Sequence, residues 1–233
     1  MNTDELLNRY ADGERQFPGA DLNGASLYRA NLEGIVLTGA SLMGANLSGA
    51  NLAGADLSQA NMIGVNLSAA DLRATHLKGA ELIGANLGGA KLGKANLVGV
   101  TLNGANLSAA NLSGVNLSTA SLVRANLAGV VLSAALLKKA DMSGANLSHA
   151  SLVEADLSET NLQEANLAGA NLGKAILQGV SLKNTNLRGS NLQEANLSSA
   201  NLSGANWSEK HWQEANLAGA ILPDGTTQAA ALP

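Results

Sequence analysis

Histidines and carboxylates are the residues of this chain that could do chemistry, and their spacing forms no recognisable site. The three histidines are His76, His149 and His211, and the repeat of the chain places no two of them on one side of the fold. There is no cysteine, which excludes a thiolate nucleophile. No phosphate-binding G-x-x-x-x-G-K-[ST] element occurs. We therefore predict that the protein is not an enzyme and has no catalytic, cofactor-binding or metal-binding residues.

Composition and charge narrow the class of protein further. The 233 residues are 46% apolar and 14% charged, a balance typical of a folded chain. With a net charge of −4, the sequence gives no reason to expect a basic nucleic-acid surface. No run of 18 apolar residues exists to span a membrane, and the first ten residues carry acid where a secretory signal needs base. The sequence predicts a cytoplasmic protein that binds neither membrane nor nucleic acid directly.

A period of five residues organises most of the chain. From Phe17 to Leu222, 37 of the 42 positions at this spacing are Leu. Two residues before each of them, 30 of 42 positions are Ala, and the position between is most often Asn, Asp or Ser. The repeating unit is Ala-Asn/Asp-Leu-x-x, frequently with Gly in its last place.

This period excludes both a helix and a flat strand. On a helix, successive Leu would be about 140° apart and would cover the whole circumference. On a strand they would alternate between faces, because five is odd. The chain must therefore turn once per unit, so that Ala and Leu point inward and Asn points outward. Gly in the last place suits a turn that requires positive φ.

The number of sides in one coil can be read from the spacing of similar residues. A spacing of 20 from Asn46 gives nine Asn in succession, ending at Asn206. A spacing of 15 from the same start soon meets His76 and Lys91. Four units therefore make one coil, and the repeat predicts about ten coils. The stacked Asn are expected to form an amide ladder.

These tandem Ala-Asn/Asp-Leu-x-x units resemble the pentapeptide-repeat proteins. The resemblance covers residues 15–222 and implies an all-β fold, a right-handed quadrilateral parallel β-helix or solenoid with a narrow apolar interior. The flanking segments at 6–17 and 222–226 are similar to those of functionally unassigned family members from photosynthetic bacteria.

Both ends of such a solenoid need covering. Residues 1–14 are expected to form an N-terminal cap helix and the entry to the solenoid, with Thr3 as the N-cap and the helix ending at about residue 12. Trp207 and Trp212 replace Leu near the other end, where they either plug the last coil or contact a second subunit in a homodimer. The segment 223–233 leaves the period and is expected to be a mobile tail.

A few outward positions break the polar pattern and could contact a protein. Val131 and Leu136 replace Asn on adjacent sides of one coil, and Ile176 does so two coils beyond Leu136. Together with Trp207 and Trp212 they are the candidate contact residues. Scattered exposed apolar residues are also ordinary on any protein.

Two functional classes remain open. The first is a non-enzymatic structural rod that binds an unidentified protein partner. The second follows from the resemblance, because some pentapeptide-repeat proteins mimic DNA and bind DNA gyrase, conferring quinolone resistance. Those proteins are strongly acidic rods, whereas this chain has a net charge of −4 and cations along its length. The binding rod is the preferred hypothesis.

Overall fold

The computed structural model of the protein describes residues 1–207 and 214–229. It begins with one helix, α1, which spans Thr3–Ala11. The N-cap is Asn2 and not Thr3, because Asn2 is extended and its Oδ1 accepts a hydrogen bond from Glu5 N at 2.8 Å. The expected N-cap was therefore wrong by one residue.

Helix α1 is attached to the first coil by apolar and polar contacts. Leu6 is completely buried in the core, and Leu7 and Tyr10 pack against it. The Tyr10 hydroxyl donates to the carbonyl oxygen of Glu33 at 2.8 Å, 23 residues further along the chain. The guanidinium of Arg15 lies 3.8 Å from the centre of the Tyr10 ring. The helix thus covers the open end of the core that begins at Phe17.

After the helix, the chain forms a parallel β-helix with four sides. Each side contributes one residue to a β-bridge, and parallel bridges join each such residue to the one 20 positions later, from Gln16↔Val36 to Asn201↔Ile221. No side within the described residues forms a longer strand, because the chain turns after every bridge. The predicted coil of four five-residue units is confirmed by this register.

The backbone N–H groups of one repeat show how the coils are held together. In the unit 46–50, three N–H groups bond to the neighbouring coils, one closes the turn, and one is bound by a side chain. The acceptors, in chain order, are Ala25 O at 2.8 Å, Asn66 O at 2.7 Å, the Asn46 side chain at 3.1 Å, Ser68 O at 2.8 Å and Leu47 O at 3.0 Å. Every backbone N–H of the unit therefore has a partner. We call the five places of a repeat companion, bridge, inward, turn and corner; in the repeat 45–49 they are occupied by Ala45, Asn46, Leu47, Ser48 and Gly49.

Every described corner residue has positive φ. From Gly19 to Gly219 the corner φ values lie between 54° and 71°, as a type II turn requires of its third residue. Glycine tolerates this conformation, and the sequence prediction is confirmed for it. Nineteen corners, among them Ala109 and Ala134, carry a side chain in the same conformation.

The interior is a continuous apolar column. The inward Leu residues from Leu22 to Leu202 are buried, and the companion Ala residues from Ala40 onward lie beside them. Thr75, Thr160, Thr185 and Ser190 replace Ala at companion places, and each hydroxyl donates to a backbone carbonyl of an inward Leu at 2.7 to 2.9 Å. These buried hydroxyl groups therefore carry no unpaired donor.

At the C-terminal end the chain turns back on the last coil. Thr227 forms an antiparallel bridge with Ile221. Leu222 N donates to Thr226 O at 2.7 Å, and Gln228 N donates to Ala220 O at 2.8 Å. This part of the segment 223–233 is therefore hydrogen-bonded to the solenoid, while mobility of the tail stays a prediction.

Candidate protein-binding surfaces

Four sides of the rod present outward side chains, and each is a column with a 20-residue step. Side 1 contains Gln16 and every twentieth residue after it, side 2 begins at Asp21, side 3 at Ser26 and side 4 at Asn31. Because coils in a β-structure are about 4.8 Å apart, one step moves about 4.8 Å along the rod.

Side 3 carries the predicted amide ladder. From Asn86 to Asn186, each Asn Nδ2 donates to the Asn Oδ1 one coil earlier, at 3.0 to 3.4 Å. The series runs without a break from Asn66 to Asn186. The ladder predicted from the 20-residue spacing is therefore confirmed in this structure.

The bridge Asn and Asp residues also have a second role that the sequence reasoning missed. Their Oδ1 accepts the backbone N–H two residues later, an Asx turn, as Asn106 does from Ser108 N at 3.2 Å. The signal for it was the choice of Asn or Asp over other polar residues, since both accept this bond. From Asn86 to Asn166, each ladder Oδ1 thus accepts two hydrogen bonds.

Leu136 and Ile176, both predicted contact residues, lie exposed on side 1. Leu136 is 46% and Ile176 is 41% exposed, and Asp156 lies between them in the column. Lys138 and Lys139 follow Leu136 and both pair with Glu159, at 3.6 and 3.5 Å. The structure therefore brings two of the predicted residues onto one surface about 10 Å long, bordered by charge.

The other predicted contact residues are not part of this surface. Val131 lies on side 4, one corner away from Leu136, and is half-buried. Trp207 is half-buried and packs against the core near the end of the rod. Trp212 lies outside the described residues. The five candidates therefore do not form one site.

A second apolar surface was missed in the sequence. The apolar stripe consists of Met43, Ile63 and Ile83, which occupy the turn places of three successive coils on side 2. Met43 is 43% and Ile83 is 41% exposed. Their 20-residue spacing is the signal in the sequence that indicates this stripe, which lies at turn places and not at bridge places.

Asn23 and Asn103 stand one coil to either side of the stripe, again at turn places. Asn23 Oδ1 accepts Met43 N at 2.8 Å and the Ser41 hydroxyl at 2.7 Å. Asn103 makes the same two contacts with Val123 N and the Ser121 hydroxyl, at 3.0 and 2.7 Å. At Ser41 and Ser121, an Asn of the preceding coil thus supplies the acceptor that a bridge Asn would provide.

The titratable groups form no reactive cluster in the described part of the chain. His76 lies on side 1 and His149 at a corner after side 3, while His211 lies outside the described residues. No group of three or more His, Asp or Glu residues is placed to hold a metal ion within residues 1–207 and 214–229. Over the same residues, no helix is long and apolar enough to cross a membrane.

Four carboxylates, those of Glu14, Asp56, Asp71 and Asp224, have lowered pKa values, and two of them, Asp56 and Asp71, occupy bridge places. Partial burial opposes the charge of Asp56, but hydrogen bonds from the hydroxyl and N–H of Ser58 outweigh it and lower the Asp56 pKa. The Arg73 guanidinium, bonded to both Asp71 oxygens, lowers the Asp71 pKa. Both groups serve the fold, as Asx acceptors or as an ion pair.

Comparison with protein families agrees with this geometry. The model of the pentapeptide repeats matches in eight copies whose ranges run from residue 16 to residue 224 and leave out only residues 119–124. The chain belongs to the pentapeptide repeat family. No match was found among curated proteins.

Solved pentapeptide repeat structures are also similar to this family member. HetL from the cyanobacterium Nostoc, described as involved in heterocyst differentiation regulation, is 36% identical over 98% of this chain and 100% of HetL, with a TM-score of 0.56. A thylakoid lumen protein of Arabidopsis thaliana is 35% identical over 45% of this chain and 69% of its own, with a TM-score of 0.36. QnrB1, a plasmid-mediated fluoroquinolone resistance protein, is 18% identical over 82% of this chain and 91% of its own, with a TM-score of 0.47.

Proposed function

We propose that this pentapeptide repeat protein is a non-enzymatic rod that acts by binding a protein partner. The exposed pair Leu136 and Ile176 carries the proposal. Both occupy bridge places where Asn or Asp would accept the N–H of the following turn residue. An aliphatic side chain cannot accept that bond and leaves apolar surface in water. Neither residue supplies the turn acceptor that the fold uses at bridge places, whereas a protein interface gains from exposed apolar surface.

The likeness to HetL supports a regulatory role for such a rod. HetL is described as involved in heterocyst differentiation regulation, and the similarity extends over nearly the full length of both chains. We propose that this protein also takes part in regulation, through contact with a partner and not through a reaction of its own. A cytoplasmic location belongs to the same proposal.

Binding to DNA gyrase is the alternative, and the charge distribution favours it less. Residues 68–140, the middle of the rod, contain seven Lys or Arg and two Asp or Glu, a net charge of +5. A rod that mimics duplex DNA needs negative charge along its whole length. The similarity to QnrB1 is one of fold alone.

The handedness of the β-helix, its number of coils and its contact with a second subunit are also proposals. We propose right-handed winding in about ten coils, in agreement with the hand that β crossovers usually adopt and with the family. Contact between two subunits through the coil end near Trp207 and Trp212 is also a proposal.

The test uses variants that restore the repeat. The double variant Leu136→Asn/Ile176→Asn gives both bridge places the residue most common there, so its melting temperature is expected to be equal or higher. Tagged wild-type protein and double variant are compared for bound proteins from the native cell. We expect a specific partner to be retained by the wild type and lost from the double variant.

The control is Val36→Asn, which makes the same kind of change at a bridge place of side 1 five coils before Leu136. It should retain the partner. Equal recovery of the partner by all three proteins, or no specific partner at all, would contradict the proposal. A gyrase supercoiling assay with the purified protein forms a separate arm, in which dose-dependent inhibition would favour the alternative.

A further inference from the structure

Charge changes sign twice along the rod. Residues 1–67 carry seven acidic and three basic residues, and residues 141–233 carry nine acidic and four basic residues, for net charges of −4 and −5. Between them, residues 68–140 carry +5. The small net charge of the whole chain therefore conceals a basic belt between two acidic ends.

Part of this belt is concentrated on one edge of the rod. The basic patch consists of Arg73, Lys78, Lys91 and Lys94, all exposed, in two successive coils. Lys91 occupies a bridge place of side 4, Arg73 the turn place of that side and Lys94 its corner, whereas Lys78 occupies the turn place at the far end of side 1. Three cations, Arg73, Lys91 and Lys94, therefore face solvent at the edge between sides 4 and 1, in coils about 4.8 Å apart, and Lys78 adds a fourth at the other end of side 1.

Most of these cations have no close carboxylate. Arg73 pairs with Asp71 at 2.6 Å, whereas Lys78, Lys91 and Lys94 have no carboxylate within 4.0 Å among the residues that the structure describes. The lysines Lys138, Lys139 and Lys174, in later coils, all pair with Glu. The basic patch thus keeps three lysines without an ion pair among the described residues, beside the single carboxylate of Asp71.

Small residues leave the patch open to a ligand. Gly93 stands between Lys91 and Lys94, and its backbone oxygen accepts from Ala74 N at 3.0 Å. A Cβ added to Gly93 would meet nothing within 4 Å, so the space beside Arg73 is open. A carboxylate entering there could approach three cations at once.

From this arrangement we infer that the basic patch binds an acidic segment of the protein partner. This inference rests on the proposed function and specifies the chemistry of the partner. The belt is roughly 18 Å long at about 4.8 Å per coil, which corresponds to about five extended residues. The acidic ends repel any polyanion that continues along the axis and so favour a short segment over duplex DNA.

The patch is tested by substitutions to the residue types that are most common at the same places of the repeat, which should leave the fold intact. Lys91→Asn supplies the usual bridge residue, and Lys94→Gly supplies the usual corner residue at a φ of 62°. Lys174→Gly is the matched control, since it removes one cation from the same corner column four coils later. Circular dichroism and melting temperature confirm that all variants are folded.

The binding measurement is fluorescence anisotropy with a labelled Glu-rich decapeptide at about 0.02 M salt, where surface charges are least screened. One exposed charge contact contributes up to about 1 kcal/mol, so Lys94→Gly should weaken binding up to about fivefold and the double variant Lys91→Asn/Lys94→Gly up to about thirtyfold. Lys174→Gly should stay within about twofold of the wild type. A peptide with Gln in place of Glu should not bind.

Two results would overturn the inference. One is equal peptide binding, or equal absence of binding, in wild type, double variant and control. The other is tighter binding of a duplex DNA oligonucleotide than of the peptide. A mixed result is one in which the peptide shows no patch-dependent binding while Leu136→Asn/Ile176→Asn still loses the native partner. That result would support the proposed protein-binding function and contradict only the preference for an acidic segment. If both arms fail, the proposed function falls as well.

Discussion

The Oδ1 atom of Asn106 lies 3.2 Å from the backbone N of Ser108 and 3.1 Å from Nδ2 of Asn126 in the next coil. One side-chain oxygen therefore satisfies the turn of its own coil and connects it to the following one. The Asn106 Nδ2 continues the chain by donating to Asn86 Oδ1 at 3.1 Å. The Asn of the repeat thus stabilises the turn within a coil and the stacking between coils.

Removing such an Asn from the middle of the ladder is expected to destabilise the rod. Asn106→Ala loses one turn acceptor and two ladder hydrogen bonds, each contributing about 1 kcal/mol at a partly buried site. We expect the free energy of unfolding to fall by about 1–3 kcal/mol, measured by urea denaturation. The control is the opposite substitution, Leu136→Asn, which adds a turn acceptor at a bridge place and should not lower the free energy of unfolding. A lower value for this variant would contradict the role assigned to the bridge Asn.

The corner places provide a matched pair of opposite substitutions in adjacent units. Gly104 has a φ of 64° and Ala109 a φ of 54°. A Cβ at Gly104 would meet no atom within 4 Å, so Gly104→Ala tests the backbone conformation alone. It should cost about 1 kcal/mol, because a left-handed conformation is unfavourable for alanine. Ala109→Gly should stabilise the protein by a smaller amount.

Thermal unfolding of both corner variants measures these effects. Gly169→Ala is an additional control, since its Cβ would lie 2.6 Å from Nδ1 of His149 and should add a steric cost. Equal melting temperatures for Gly104→Ala and Ala109→Gly would show that the corner φ is not a source of strain.

The inward Leu residues are expected to be the most sensitive places in the rod. Leu107 is fully buried near the middle of the column. Leu107→Ala should reduce the free energy of unfolding by about 2–5 kcal/mol, because it leaves a cavity in a narrow interior. Leu107→Lys should be worse, since it would bury an unpaired charge. Hydrogen exchange should show the loss of protection concentrated in the coils next to residue 107, as expected when each coil contacts only its neighbours.

The sequence predicted the interior of this protein better than its surface. The five-residue period required Leu107 and its equivalents to point inward, and the recurrence at 20 residues set the coil length. Such constraints are strong because a displaced Leu would be exposed to water. No comparable constraint acts on Met43, Ile63 and Ile83, whose turn places accept many residue types. The N-cap was displaced from Thr3 to Asn2 because both residue types are suitable caps.

Acid should destabilise the rod through the carboxylates that occupy bridge places. The pKa of Asp56 is below its ordinary value of about 4, because the hydrogen bonds from Ser58 to the charged form outweigh the cost of burial. A carboxyl group with a lowered pKa in the folded state stabilises that state above the unfolded pKa. This contribution is lost as the pH falls from about 4 through the lower folded pKa. We therefore expect the melting temperature to fall below about pH 4.

Asp56→Asn separates this effect from general acid unfolding. The Asn Oδ1 can still accept the N–H and hydroxyl of Ser58, but the side chain does not titrate. The variant should have a melting temperature close to that of the wild type at neutral pH and a shallower decrease between about pH 4 and pH 2. Asp4→Asn, on the exposed surface of α1, is the control and should leave the decrease unchanged. A parallel decrease in wild type and Asp56→Asn would mean that the hydrogen bonds from Ser58 do not favour the charged form.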